Sequence, residues 1–304
     1  MKRALVVGIS GFVGRHLARC LTDGGWDVSG FDQQPLPGFD VQTGDLSNRT
    51  IVEQTLLEAR PDFIFHLAGV LKSERPEQFY TAHVLGTVTL LEAVVKSGSR
   101  AVMCVASSSA VYGAGVGKKP ITENFKPRPV THYAVSKLAQ EMVALRYWMT
   151  LGLPIILVRT FNLLGPGLSP VMACSDFARQ IAQAEKQGRP AVISTGDLSA
   201  RRDFVDVRDA VRAYMLLAGQ GRAGQVYNVA SGRAIAIREC LDFLRGQAKV
   251  PIEAVVDAAR VQKNDVPLQI GSARRLHEVT GWQAEISVEQ SLRDMLDDWR
   301  RKVA

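Results

Sequence analysis

Apolar residues in the first half of the chain fall into short runs of strand length, separated by stretches of helical period. Ala4-Leu5-Val6-Val7 is a continuous apolar run with a β-branched pair, the pattern of a strand buried on both faces of a parallel sheet. A glycine-rich turn follows, and Phe12, Val13, His16, Leu17 and Cys20 then recur at helical spacing. Further strand-like runs are Asp27 to Phe31, Phe39 to Gln42, Phe63 to Leu67, Ala101 to Ala106 and Ile155 to Arg159. Between them the pattern predicts helices over Ser47–Arg60 (capped by Ser47 or Asn48), Glu77–Lys96 and Thr131–Thr150. Strands alternating with helices predict the α/β class: a doubly wound parallel sheet with helices on both faces.

From Phe161 the texture changes. Gly165-Pro166-Gly167 and Pro170 break the regularity. Helical patterns follow over Met172–Gln187, Val205–Leu217, Ile237–Gly246 and Ser287–Lys302, with a strand at Val226–Val229. The expected organisation is a dinucleotide-binding domain over 1–160, to which 204–229 returns. A smaller α+β substrate-binding cap is formed from 161–203 and 230–304.

The bulk numbers narrow the class. The 304 residues, 46% hydrophobic and 22% charged, suit a soluble globular protein. The net charge of +7 suits anionic small molecules. The positive residues are scattered, so nucleic acid is not an expected partner. Cys20, Cys104, Cys174 and Cys240 show no zinc spacing and read as buried thiols; no metal is expected. No signal peptide or membrane span is legible, which gives a cytoplasmic expectation.

The glycine turn carries the first candidate chemistry. Gly8 allows a sharp strand-to-helix turn, Gly11 lets backbone approach a pyrophosphate, and Gly14 lets the helix lie close to the strand. The helix N-terminus offers N–H donors and partial positive charge to phosphate. Phe12 and Val13, within the turn, join the cofactor-binding set. A purely structural βα turn would show the same glycines, but Asp32 ends the next strand about 20 residues on, where a carboxylate accepts from ribose hydroxyls. Gln33 and Gln34 follow Asp32, so a 2′-phosphate would meet repulsion and no partner. NAD(H) is therefore favoured over NADP(H).

Tyr133 and Lys137 are four residues apart and share one face of a predicted helix. A phenol titrates near 10, too high for neutral acid–base work, and an adjacent ammonium is expected to lower it. Tyr133 can then exchange a proton with a substrate oxygen. Surface helices also produce this spacing. Ser108 and Ser109 end a predicted strand at the sheet edge where α/β proteins bind ligands, although a strand end or helix cap would equally place serines there.

The ordered set Gly8-x-x-Gly11-x-x-Gly14, Asp32, Gly44-Asp45-Leu46, His66-Leu67-Ala68-Gly69, Ser107-Ser108-Ser109-Ala110-Val111-Tyr112-Gly113 and Tyr133-x-x-x-Lys137 resembles the extended short-chain dehydrogenase/reductase family, the NAD-dependent epimerases and dehydratases. The resemblance implies a Rossmann fold and action on nucleotide-diphosphate sugars. It implies Tyr133 as acid/base, Lys137 as its partner and Ser108 as the triad hydroxyl, with Asp45, Leu46, Leu67, Ala68 and Gly69 against the cofactor. The segment from Arg159 to Gly167 resembles the one whose asparagine, here Asn162, holds the diphosphate; Arg202 stands at the diphosphate-arginine position. Asp265 stands where relatives contact the nucleotide ribose, and Gln262 where they often carry an arginine. Taken together these segments look most like reductases that convert GDP-4-keto-6-deoxy-D-mannose to GDP-D-rhamnose. His83 replaces a usual asparagine and reads as a structural histidine.

The expected reaction is hydride transfer to a sugar C4 ketone, with Ser108 polarising the carbonyl and Tyr133 donating the proton. A nucleotide-sugar 4-epimerase is the alternative. A 4,6-dehydratase fits less well, since Ser109 and Ala110 stand where its acidic pair belongs. A non-catalytic sensor on the same fold would not need Ser108, Tyr133 and Lys137 together. A homodimer through the Tyr133 helix is expected, with Leu138, Met142, Leu145 and Trp148 as candidate contacts that a core-facing stripe explains equally well.

Overall fold

The computed structural model describes residues 1–113, 119–260 and 266–304. Seven strands form one parallel sheet: β1 (Arg3–Val7), β2 (Asp27–Asp32), β3 (Asp40–Thr43), β4 (Phe63–His66), β5 (Val102–Ser108), β6 (Ile155–Thr160) and, from later in the chain, β10 (Val226–Val229). Their order is β10-β6-β5-β4-β1-β2-β3. The chain leaves β1 toward β3, then returns to place β4 on its other side, so a crevice opens above β1 and β4 where the direction reverses.

The sheet is buried on both faces because each strand feeds two cores. In β1, Ala4 and Val6 pack on one side with Leu17 and Leu21 of α1 (Phe12–Asp23) and Val211 and Leu217 of α7 (Val207–Gln220). Leu5 and Val7 pack on the other with Leu56 of α2 (Arg49–Ala59), Leu90 and Val94 of α4 (Gly86–Lys96) and Tyr147 of α5 (His132–Leu151). That two-sided demand is what a continuous apolar run encodes. Asn48 caps α2 by accepting from the Ile51 amide.

The single helix expected over Glu77–Lys96 is interrupted. A short α3 (Glu77–Tyr80) leads into a π turn over Thr81–Leu85 before α4 begins. Wide turns of this kind recur at functional sites, and this one carries His83 toward the Gly69–Val70 backbone.

The second half is richer in short strands than periodicity suggested. A small sheet joins β7 (Asn162–Leu164), β9 (Arg201–Asp206), β11 (Ala234–Ala236) and β13 (Leu268–Gln269), and a two-stranded pair joins β8 (Ala191–Thr195) to β12 (Ile252–Val256). The helix expected from Val205 starts at Val207, because Asp206 is its cap and accepts from the Arg208 amide. Helices α6 (Ala173–Gln187), α8 (Ile237–Gly246) and α10 (Val288–Val303) enclose their own core around Phe177, Leu241 and Leu296, while α9 (Arg274–Thr280) packs Leu276 on the main sheet's core. Among the described residues, all four cysteines are free, no cluster of metal-ligating side chains occurs, and no helix is long and apolar enough to cross a membrane.

Candidate active site

A cleft of about 480 Å³ opens at the sheet's reversal point. Its dinucleotide end is the glycine turn. Gly8 has φ +92°, and a Cβ there would meet the Ala68 amide nitrogen at 2.6 Å. A Cβ at Gly14 would collide with the Gly8 carbonyl, so α1 can start against β1 only without one. Gly11, Phe12 and Val13 line the cleft beside them, as do Leu67 and Gly69 after β4. Backbone bared in this way at a helix N-terminus fits a pyrophosphate.

Asp32 closes the turn from the side. Its carboxylate accepts from the Ser10 amide at 2.8 Å and the Gln33 amide at 2.7 Å. Gln33 in turn donates to Asp45 at 2.6 Å, and Leu46 packs between Gly86 and the core. Asp32, Ala68, Asp45 and Leu46 do not line the cleft itself; the first, third and fourth stand beyond its glycine end. Asp45 is held below the usual carboxylate range, chiefly by the Ser47 amide. Arg15, one turn into α1, donates to the Ser10 carbonyl at 2.6 Å, so a guanidinium and the Asp32 carboxylate grip the same residue.

The chemical end gathers Ser108, Tyr133 and Lys137. Thr131 caps α5 by accepting from the Ala134 amide at 3.1 Å, which sets Tyr133 in the first turn. Ser108, at the end of β5, accepts from the Ala110 amide at 3.2 Å and lines the cleft together with Tyr133. Lys137 is almost fully buried, and its Nζ donates to the Ala106 carbonyl at 2.8 Å and to Gln140 Oε1 at 2.9 Å. Burial pulls its ammonium down to about 8. The expectation that this ammonium lowers the Tyr133 phenol is not met here: burial raises the phenol, and the Ser108 hydroxyl works against that rise. Lys137 is turned toward protein acceptors.

His83 lines the cleft as a structural, neutral histidine. Its Nε2 accepts from the Val70 amide at 3.1 Å, so the proton sits on Nδ1, which donates to Ser136 at 2.8 Å. Ser136 passes its own proton to the Tyr133 carbonyl at 2.8 Å. Burial, with Lys137 nearby, presses His83 down to about 2.

The cap supplies the remaining wall. Asn162, the first residue of β7, donates to the Asp203 carbonyl at 3.3 Å and lines the cleft. Arg202 lines it too and donates to the Val266 carbonyl. Ser109 reaches the cleft, but its hydroxyl is directed to Gln269 at 3.0 Å, and Gln269 returns a hydrogen bond to the Ser109 carbonyl. Asp265 and Gln262 lie outside the described residues. Sequence reasoning passed over Gln140, Gln269 and Thr87, all buried polar residues in or beside this constellation; only a fold shows which buried amide meets which partner.

A family model described as the NAD dependent epimerase/dehydratase family matches residues 4–230. The chain is 36% identical to the GDP-6-deoxy-D-mannose reductase of Pseudomonas aeruginosa, over 99% of this chain and 98% of that protein. The solved structure of RMD from Pseudomonas aeruginosa complexed with NADPH superposes with a TM-score of 0.88 at 36% identity, covering 99% of this chain and 100% of that one. MoeE5 in complex with UDP-glucuronic acid and NAD superposes with a TM-score of 0.86 at 30% identity, again over 99% and 100%.

Proposed function

Because this chain belongs to the NAD dependent epimerase/dehydratase family, we propose that it reduces the C4 ketone of a nucleotide-diphospho-4-keto-6-deoxy-hexose. The best fit is GDP-4-keto-6-deoxy-D-mannose, giving GDP-D-rhamnose. The observation that carries the reading is the convergence of Ser108, Tyr133 and the buried Lys137 on one cleft that the bare glycine turn also lines. The name of the 36% identical reductase supports the substrate class.

The nicotinamide cofactor would be held by Gly8, Gly11, Phe12, Val13, Gly14, Leu67 and Gly69, with Ala68 packed behind Gly8, and supplies the hydride when bound. Ser108 donates to the ketone oxygen and polarises it. Tyr133 gives its phenolic proton to the nascent alkoxide. A phenol raised by burial suits this role, since it is protonated at neutral pH when reduction begins. Lys137, on the same helix face, would hydrogen-bond the nicotinamide ribose. Holding the sugar ring against Tyr133 supplies rate through positioning.

Arg202 and Asn162 would take the diphosphate, a fork of guanidinium donors being suited to it, and Asp265 the nucleotide ribose. Asp32, with Asp45 and Leu46 beside it, would take the adenosine end and favour NAD(H); Arg15 and the NADPH bound by the Pseudomonas RMD weigh on the other side. The main sheet with β10 would form the dinucleotide domain and the smaller sheets the sugar-nucleotide cap. A second copy would pair along α5. There Val135, Met142 and Met149 are exposed seven residues apart, whereas Leu138, Leu145 and Trp148 turn inward to the cores.

Purified protein incubated with NADH and a panel of 4-keto-6-deoxy sugar nucleotides tests the reading. Stoichiometric NADH consumption is expected. Protein that carries tightly bound NAD and interconverts C4 epimers with no net NADH loss would instead make it the alternative, a 4-epimerase.

A further inference from the structure

Lys137 is gripped from behind by a glutamine whose orientation is not free. Gln140, one turn further along α5, is fully buried and accepts from Lys137 Nζ through Oε1 at 2.9 Å. Its Nε2 donates to Thr87 Oγ1 at 2.9 Å. Thr87 spends its single hydrogen on the His83 carbonyl at 2.6 Å, so toward Gln140 its oxygen can only accept. His66 Nε2 stands 2.8 Å from the same Thr87 oxygen and 3.2 Å from Gln140 Nε2. Reversing the amide would set its oxygen against an oxygen with no hydrogen to give. An ammonium only donates, so Lys137 and Thr87 together fix which end of Gln140 faces the cation.

An ammonium has three N–H bonds. Ala106 and Gln140 take two of them, which leaves the third for the cleft that Lys137 lines. We propose that Gln140 is a positioning residue: Thr87 sets its amide, and the amide aims the remaining Lys137 N–H into the cofactor cleft while giving the buried cation a neutral partner. This rests on the reading of that cleft as the nicotinamide cofactor's site.

The other titratable groups around Lys137 are Tyr133 and Glu141 on α5, His66 on β4 and His83 in the π turn. Both histidines are neutral, with His66 pressed down to about 3 by burial. Glu141 is engaged by Arg159 and Ser107. The direct side-chain acceptor of the ammonium is thus an amide oxygen, whose exchange for a carboxylate or a methyl has opposite effects on the cation.

The test uses Gln140→Glu and Gln140→Leu with two readouts. The first is NADH affinity against pH, followed by NADH fluorescence, which involves no sugar. Affinity should weaken as pH passes about 8 in the parent. That fall should move up by about one pH unit in Gln140→Glu and down by about one in Gln140→Leu. The second readout is turnover, where Gln140→Leu should lose about tenfold or more in kcat, the scale of one hydrogen bond to a charged group. If either folded variant keeps the parental pH profile in NADH binding, the proposal is overturned. A parent that reduces no sugar nucleotide defeats the proposed function, yet the NADH profiles still decide the role of Gln140. Should neither variant fold, a crystal structure of the parent with NADH decides: Lys137 Nζ within about 3.2 Å of Gln140 Oε1 is expected, and an ammonium that has left Gln140 overturns the proposal.

Discussion

Glu141 receives the Arg159 guanidinium in a two-pronged pair, Nε at 2.8 Å and Nη2 at 2.6 Å, with both side chains buried. Ser107 adds a third donor at 2.5 Å, and Arg159 Cζ lies 4.8 Å from the centroid of the Tyr112 ring. The pair bolts α5 to β5 and β6 one turn beyond Lys137, so it sets the register in which Tyr133 and Ser108 meet. Glu141→Ala leaves a buried guanidinium without its counter-charge, and about 3–5 kcal/mol of stability should be lost. Urea unfolding checks this; a loss under about 1 kcal/mol contradicts it.

Two buried histidines make the fold acid-sensitive. His66 and His83 are held neutral, at about 3 and about 2, while in the unfolded chain each titrates near 6.5. The unfolded state therefore binds more protons below pH 6.5. Stability is fully present above that value and is lost as pH falls toward 3. At pH 5.5 the two sites together should cost about 3 kcal/mol, before most carboxylates titrate. His83→Asn, which keeps a short polar side chain beside Val70, should remove about half of that loss. Thermal unfolding of both proteins at pH 7.5 and 5.5 measures it, and identical acid losses would rule out His83 as a contributor.

Asp32 holds Ser10 by its amide and Arg15 holds it by its carbonyl. Asp32→Asn removes the charge that opposes a 2′-phosphate. The NADPH-to-NADH ratio of kcat/KM should rise by tenfold or more, the effect of about 1.4 kcal/mol. An unchanged ratio means that Asp32 does not set the preference.

How much of this was legible beforehand depended on the range over which each residue acts. β1, the glycine turn and α1 are local: apolar run, glycines and helical period follow one another in sequence. The seven-stranded sheet followed from repeating that unit. The pairing of Ser108 with Tyr133 came through motif resemblance, since spacing along the chain places only Tyr133 and Lys137 on one face. What stayed hidden was long-range. Val205 reads as helical by period yet lies in β9, because Asp206 starts the helix and β7, β11 and β13 claim the residues before it. Glu77–Lys96 looks continuous, and no local cue marks the π turn at Thr81–Leu85. The direction of the Tyr133 shift follows from its burial, which spacing along the chain does not reveal, and the grip on Lys137 depends on Gln140 and Thr87, which lie on different helices.

The reduction itself is tested most directly by Tyr133→Phe, which removes the phenolic proton donor and little else. With NADH and a nucleotide-diphospho-4-keto-6-deoxy-hexose that the parent consumes, kcat should fall by at least about a hundredfold. NADH affinity should stay within about twofold of the parent. A variant that reduces the ketone at the parental rate would remove Tyr133 from the chemistry and with it the mechanism argued here.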